Sequence, residues 1–456
     1  MIEASLAQIS RALLPLKISG ADDTRFQGCS IDSRSLQAGS LYLALRGERF
    51  DGHDFCAAAV EQGAVALLVE QRQALNVAQI LVQDSHRALA ELAAWWRKQN
   101  PARIIAITGS NGKTSVKEMT AAILRQSTSQ PDTMLATQGN LNNEIGVPLT
   151  LLNLNAHHRF AVIEMGANNP GEIARLSHWA QPQIALITQC APAHLEGFGS
   201  IEGVARAKGE IYQALNAQGM AIINQDDQYA DYWSGLTEAR HLSFGLTDKA
   251  DIFASDIRLN SESSFFHLHT PVGDCEIQLP LPGQHNIYNA LAASACCLSC
   301  GLSLNSIQAG LSQLQAVAGR LQAQPGLRNS RIFDDSYNAN PGSLKAGLNV
   351  LANCPTPRWL VLGDMLELGE QAQELHAQVG QLAKQAGIER VLTLGELSLA
   401  ATENFGSNAQ HFSDKTALIA HLQQTLPENC QVLIKGSRGS AMEQVVRQLK
   451  IEPENR

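Results

Sequence analysis

No run of about 18 consecutive apolar residues occurs in the 456-residue chain, so no transmembrane helix is expected. The first residues, MIEASLAQISRALL, are amphipathic and carry an acid, unlike a signal peptide, and a cytoplasmic protein is expected. Paired cysteine spacing is missing as well. The nine cysteines are scattered, and the tight group Cys296, Cys297 and Cys300 in LAASACCLSCGL has no second pair to complete a metal site. Buried thiols on a helix, reduced as in the cytosol, are expected instead. Basic residues are in deficit. The 34 Lys and Arg against 43 Asp and Glu leave a net charge of −9, which argues against a nucleic-acid partner. A few cations and a group of backbone N–H donors can still hold a phosphate on such a chain. Internal repeats and low-complexity segments are also absent.

What is present is an ordinary globular composition, 45% hydrophobic and 17% charged, with material for several cores. At roughly 100–200 residues per domain the length fits three domains. Residues 1–100 alternate short strand-like runs (41–45, 65–69, 79–82) with helical patterns. They end in a helix over 86–98, and Gln99-Asn100-Pro101 marks a boundary. Residues 101–316 open with a buried-strand pattern at 104–108, a glycine loop and a helix. Runs at 160–165, 184–188 and 220–223 predict further strands of a mostly parallel sheet, and the alternation over 251–281 predicts an antiparallel excursion. Residues 317–456 restart the rhythm at 331–334, 359–363, 391–394 and 431–434, each run followed by a turn and a helix. The fold class is therefore α/β with three domains: a small N-terminal one, a central phosphate-loop domain and a Rossmann-like third.

The sharpest local signal is Thr108-Gly109-Ser110-Asn111-Gly112-Lys113-Thr114, set between a strand and a helix marked by Val116, Met119 and Ile123. Glycines let backbone N–H groups approach phosphates, and a helix N-terminus adds positive potential. A lysine at this place neutralises the terminal phosphates, and the Thr114 hydroxyl can ligate Mg²⁺. Nucleotide binding is expected of Gly109, Ser110, Asn111, Gly112, Lys113, Thr114 and Ser115. The general pattern G-x-x-x-x-G-K-[ST] would begin at position 107, which is Ile107, so the loop is a variant.

A Mg-ATP site needs a carboxylate. Glu164 ends the apolar run FAVIEMG, at the strand edge where open α/β sheets bind ligands. His194 follows the strand IALIT and reads equally as a surface residue or as a ligand or acid–base group. Lys208, in IEGVARAKGEIYQAL, by itself reads as a solvated lysine. Asn286 and Asn289 in GQHNIYNA share one helix face; capping explains one of them, and a ligand could use both.

In this order, TGSNGKT, GNLNNEIGVPLTLL, EMGANNPGEI, PAHLEGFGS, GQHNIYNALAA, the pair Gly319-Arg320, DDSYNANP, LGDMLELG and KGSRGSAME resemble the Mur ligase family across essentially the whole chain. Within that family they are similar to the branch that adds D-alanyl-D-alanine. The Asp-Asn-Pro-Arg motif of the diaminopimelate-adding branch is not found. The resemblance implies a cytoplasmic, monomeric ligase with ATP as co-substrate. ATP would phosphorylate the terminal carboxylate of a UDP-N-acetylmuramoyl tripeptide, and the amine of D-alanyl-D-alanine would attack the acyl phosphate. It implies two Mg²⁺ ions, one on Thr114 and Glu164 and one on His194 with Lys208. The matching lysine is carbamylated in several members, which suits a metal because a carbamate is an anionic oxygen ligand where an ammonium repels.

The same resemblance implies nucleotide contacts for Asn286, Asn289 and Arg320, and an ATP-ribose contact for Asp335. Catalytic roles fall to Lys113, His194 and Lys208. Ser33 and Arg34, with RGERFDGHDF, match the uridine-nucleotide region. Asn140, Asn142, Asn143, Tyr337, Asn338 and the run Lys435-Gly436-Ser437-Arg438 match substrate-side positions. The family's Asn-x-Gly-Pro-x-His is replaced by Gln189-Cys190-Ala191-Pro192-Ala193-His194, so a different backbone shape is expected before His194. A site drawn from three domains also implies hinge closure, with Asp335 apart from Lys113 until ATP binds. Rival readings are another Mur-type ligase, a P-loop phosphotransferase or NTPase, and a sugar-nucleotide-binding regulator.

Overall fold

The computed structural model describes residues 1–127 and 133–451. Three larger sheets organise it, with a small ribbon, Glu3–Ser5 against Arg25–Gln27, beside the first. The N-terminal sheet runs, in spatial order, Lys17–Ser19, Ala78–Leu81, Ala66–Val69, Leu41–Leu43 and Cys29–Ser30, parallel except for its first pair. Continuous apolar runs such as Ala-Leu-Leu-Val at Ala66–Val69 are buried on both faces, as parallel strands require.

The central sheet has nine strands. From the hairpin edge they are Gly273–Leu279, Ser264–Thr270, Ile252–Leu259, Arg240–Gly245, Met220–Asn224, Ile184–Ile187, Arg103–Thr108, Phe160–Glu164 and Met134–Ala136. The first three are antiparallel and the rest parallel. The expected excursion is therefore real, and it extends a parallel sheet. The third sheet runs Gln322–Gly326, Ser330–Asp335, Gln431–Lys435, Arg358–Gly363, Arg390–Leu394 and Ala409–Phe412, parallel after its first, antiparallel, pair.

The N-terminal and central units share one hydrophobic core, from Ile2, Leu6 and Leu92 to Ile163, Ile211 and Trp233. Helix Ser85–Lys98 is built into this seam. Trp96 Nε1 donates to the Leu154 carbonyl at 2.9 Å, and the buried Arg97 guanidinium donates to the carbonyls of Ala180 (2.9 Å) and Asn100 (2.8 Å). A buried guanidinium is tolerable only when so satisfied. The C-terminal sheet has its own core on each face. Cys296 and Cys297 are buried in helix Gln284–Ser299, with their thiol pKa values pushed up by burial.

Candidate active site

The strand Arg103–Thr108 ends on the loop 109–112, and helix Lys113–Gln126 begins there. Gly109 (φ +142°) and Gly112 (φ +82°) hold backbone angles that L side chains rarely adopt. A Cβ on Gly112 would stand 2.5 Å from Asn289 Oδ1, and one on Gly109 would strike Thr188 Oγ1. The loop is pinned from the side. Ser110 N–H donates to the Gln189 carbonyl (3.0 Å), and Thr188 Oγ1 donates to the Asn111 carbonyl (2.5 Å). Ser110 Oγ donates to the Ala191 carbonyl (2.9 Å) and accepts from the Ala191 N–H (3.0 Å). Ala191 keeps an ordinary negative φ, so alanine in place of glycine imposes no strain; the left-handed residue of this stretch is His194 (φ +52°).

Lys113 Nζ lies over the loop and donates to the Gly109 carbonyl at 2.7 Å. Burial lowers its pKa, Glu164 opposes that, and Arg320 adds to it. The Asn111 side-chain amide nitrogen is buried without a hydrogen-bond partner, a donor left over beside the loop. Glu164 is 2% exposed and fully engaged: Oε2 accepts from Thr114 Oγ1 (2.9 Å) and Oε1 from Asn142 Nδ2 (2.8 Å). Thr114 Oγ1 also accepts from Arg320 Nη2 at 2.8 Å. This all-oxygen pair of Thr114 and Glu164 suits a hard cation such as Mg²⁺. Asn142, expected on the substrate side, lines the same cavity and orients the carboxylate. Outer partners of a metal ligand typically matter about 10–100-fold. Asn142→Ala is therefore expected to raise the Mg²⁺ concentration for half-maximal turnover about tenfold while leaving the maximal rate within about twofold, in a Mg²⁺ titration of phosphate release.

His194 is half-buried, with Nδ1 2.5 Å from Glu367 Oε2 but without the alignment of a hydrogen bond. Burial lowers its pKa first; Glu367 pulls the other way, and Lys113 and Lys208 add to the lowering. Lys208 is 2% exposed on helix Ile201–Gln213, not solvated. Its ammonium faces the Phe198 ring at 5.3 Å, and burial, then Lys113, bring its pKa down to about 7.

One cavity of about 1020 Å³ joins these groups to the third sheet. Its wall includes Lys113, Thr114, Glu164, His194, Asn286, Asn289, Arg320, Asp335, Tyr337 and Asn338. Asp335 and Lys113 line this same cavity. Polar contacts reach across it from the third domain to the central one: Asn340 Nδ2 to Asn111 Oδ1 (2.7 Å), Arg320 Nη2 to Thr114 Oγ1 (2.8 Å), and Glu367 against His194, while the Arg320 guanidinium lies 4.3 Å from the Tyr337 ring centre. His285 also lines it; burial and then Lys435 bring its pKa down to about 4, so its imidazole is neutral.

The remaining expected residues divide. Asn286 Nδ2 donates to the Pro282 carbonyl (2.8 Å), and Asn286 Oδ1 accepts from Asn289 Nδ2 (3.2 Å), so both asparagines are fixed and Asn289 faces Gly112. Asp335 Oδ2 meets Lys435 Nζ at 2.5 Å, and Lys435 also donates to the Asn338 carbonyl (2.9 Å). Burial raises the Asp335 pKa against the pull of that ammonium. Asn140 and Asn143 line the cavity, but Asn143 Oδ1 also caps the Gly146 N–H (2.9 Å). The buried Ser437 hydroxyl accepts from Leu366 N–H (2.8 Å) and so shapes the loop that presents Glu367. Ser33 and Arg34 do not line this cavity, and Arg34 is exposed with its guanidinium on Asp32. Sequence reasoning missed Glu367, Asn340 and His285. Both Glu367 and Asn340 lie inside motifs it had singled out, LGDMLELG and DDSYNANP.

Three family models match in chain order: the Mur ligase family catalytic domain over residues 25–97, the Mur ligase middle domain over 107–297, and the Mur ligase glutamate ligase domain over 319–438. The chain belongs to the Mur ligase family. Among curated Mur ligases, the UDP-N-acetylmuramoyl-tripeptide–D-alanyl-D-alanine ligase of Escherichia coli K12 is 48% identical over 99% of both chains. The Bacillus subtilis enzyme of the same name is 33% identical, over 95% of this chain and 94% of its own. Among solved structures, MurF from Acinetobacter baumannii superposes with a TM-score of 0.91 at 36% identity, covering 98% of each chain. MurF ligase from Thermotoga maritima in complex with ADP gives 0.81 at 26% identity, over 92% of this chain and 96% of its own. This Mur ligase is an enzyme that forms peptide bonds. Among the described residues no helix is long and apolar enough to cross a membrane.

Proposed function

We propose that the chain joins D-alanyl-D-alanine to a UDP-N-acetylmuramoyl tripeptide, driven by ATP, making the pentapeptide precursor of peptidoglycan. The observation that carries this reading is the full-length 48% identity with a relative of that name, over a cavity that unites the phosphate loop with the third sheet. In the reaction, a tripeptide carboxylate oxygen attacks the γ-phosphorus of ATP and ADP leaves. The dipeptide amine nitrogen, having lost a proton, then attacks the acyl carbon, and phosphate leaves from the tetrahedral intermediate. Such chemistry is mostly positioning and charge neutralisation.

Lys113 and the loop N–H groups hold the β- and γ-phosphates. Arg320, stacked on Tyr337 beside the loop, faces the same phosphates from the hinge. Asp335, backed by Lys435, takes the ribose. Thr114 and Glu164 would hold one Mg²⁺, which would supply charge neutralisation on the phosphates. His194 and Lys208 as a free amine do not suit a second Mg²⁺, because nitrogen and ammonium are poor partners for it. Carbamylation of Lys208 supplies the missing oxygens. Ser33 and Arg34 belong to the uridine end of the substrate, away from the reacting groups. The protein works as a cytoplasmic monomer.

The test is to incubate the protein with Mg-ATP, UDP-N-acetylmuramoyl tripeptide and D-alanyl-D-alanine, and to follow phosphate and product mass. Phosphate release that needs both co-substrates, with a pentapeptide product, is expected. Release with a single amino acid and a shorter precursor would move the chain to another Mur branch. Acceptor-independent hydrolysis would make it a P-loop NTPase.

A further inference from the structure

The antiparallel strands Ile252–Leu259, Ser264–Thr270 and Gly273–Leu279 have one face in the core, through Phe266, Leu268 and Ile277. The opposite face carries an arrangement the ligase reaction does not use. His267 and His269 are two apart on one strand and so point the same way. Across the hairpin, Asp274 stands in register with His269 and Glu276 with His267. One ligand atom from each of His267, His269 and Asp274 lies within 4.8 Å of the others. None of the three lines the ligase cavity.

The two ring nitrogens of His269 have different neighbours. Ser255 Oγ donates to Asp256 Oδ2 (3.2 Å), so it accepts from the His269 Nε2–H, 2.9 Å away. His269 Nδ1, the nitrogen on the other side of the ring, faces Asp274 Oδ1 at 3.4 Å. The ring plane is fixed by stacking on Phe253, with centres 4.4 Å apart and 16° between planes. A bonded far nitrogen and a held ring are what orient a histidine toward a metal. The strand is irregular between Ser255 and Arg258, and Asp256 has φ +52°, which sets Ser255 and Asp256 where this chain of bonds needs them.

We propose that His267, His269 and Asp274 form a site for one divalent transition cation of zinc-like ligand preference, apart from the ligase centre. Imidazole with a carboxylate suits Zn²⁺, Co²⁺ or Ni²⁺ and not Mg²⁺. A tetrahedral ion with bonds of about 2.0–2.2 Å holds its ligands roughly 3.3–3.6 Å apart, a small closure from the separations here. Water or Glu276 completes the shell. The ion bridges two adjacent strands and fastens the end of the hairpin.

The full-length protein, stripped with a chelator, is titrated with Zn²⁺ against a chromophoric competitor in excess Mg²⁺, and with Co²⁺ for its visible spectrum. The wild type is expected to take one more equivalent than His267→Gln or His269→Gln, and Asp274→Asn is expected to bind that equivalent at least tenfold more weakly. Acceptor-dependent phosphate release stays unchanged in all three and reports an intact fold. If either histidine variant fails to fold, Asp274→Asn on the exposed strand decides. Equal stoichiometry and affinity in wild type and folded variants, as a plain imidazolium–carboxylate pair would give, overturns the site.

Discussion

Lys113→Ala is expected to lower the rate of acceptor-dependent phosphate release about 10³-fold or more while leaving the fold intact. The ammonium lies against the Gly109 carbonyl at the start of helix Lys113–Gln126, where phosphate charge would gather. Removing a positioned donor to developing charge in a desolvated site costs about 10²–10³-fold in rate, and a full charge at a triphosphate costs more. Stability moves the other way. One hydrogen bond from a charged group to a carbonyl contributes about 1.5–3 kcal/mol net, and the cost of burying the ammonium offsets it. The melting temperature should therefore hold or rise slightly. Lys113→Arg is not a rescue, because a planar guanidinium does not take the place of a compact ammonium inside a tight loop. Steady-state kinetics beside thermal melts of both variants check this. Near-wild-type turnover of Lys113→Ala would remove the loop from the mechanism.

The loop was legible because its parts are local: a buried strand, two glycines with positive φ, and a helix start within a few residues. Strands with continuous apolar runs were legible for the same reason. Arg240–Gly245 and Ala409–Phe412 were not, since RHLSFG and AQHF mix polar with apolar and form only through their neighbours in the sheets. Gln322–Gly326 contains Pro325, which marks an edge strand and hides the pattern. The polar residues and proline at 99–101 mark a boundary in the sequence, but they do not show that Trp96 and Arg97 just before it fasten their helix to the central domain. Within the site, motif membership located Asn142, Lys435 and Ser437 but not their partners. Glu164, Asp335 and the backbone of Leu366 lie 22, 100 and 71 residues away along the chain, and only the tertiary fold sets those pairings.

Lys208 shows the opposite failure, and it carries the second large effect. Helical spacing alone made it a solvated lysine, whereas it is buried beside Phe198 with its pKa brought down to about 7. At pH 7 roughly half of such amines are neutral, against about one in three thousand for an ordinary lysine. Only the neutral nitrogen attacks CO₂, forming a carbamate and releasing a proton. Ligase activity is therefore expected to fall at least tenfold in CO₂-depleted buffer and to return with bicarbonate, while Lys208→Met stays inactive in both. The sign of the stability effect follows from the lowered pKa. Below about pH 7 the folded state must hold a buried ammonium, and the full cost is present, on the order of 5 kcal/mol for a shift from 10.5 to about 7. Between about pH 7 and 10.5 the unfolded state binds the extra proton, so stability rises with pH and the cost disappears. In CO₂-depleted buffer Lys208→Met should melt several degrees above wild type at pH 6 and close to it at pH 10. Equal melting at both pH values, or activity indifferent to bicarbonate, would leave Lys208 a packing residue and the second metal site without its oxygen ligand.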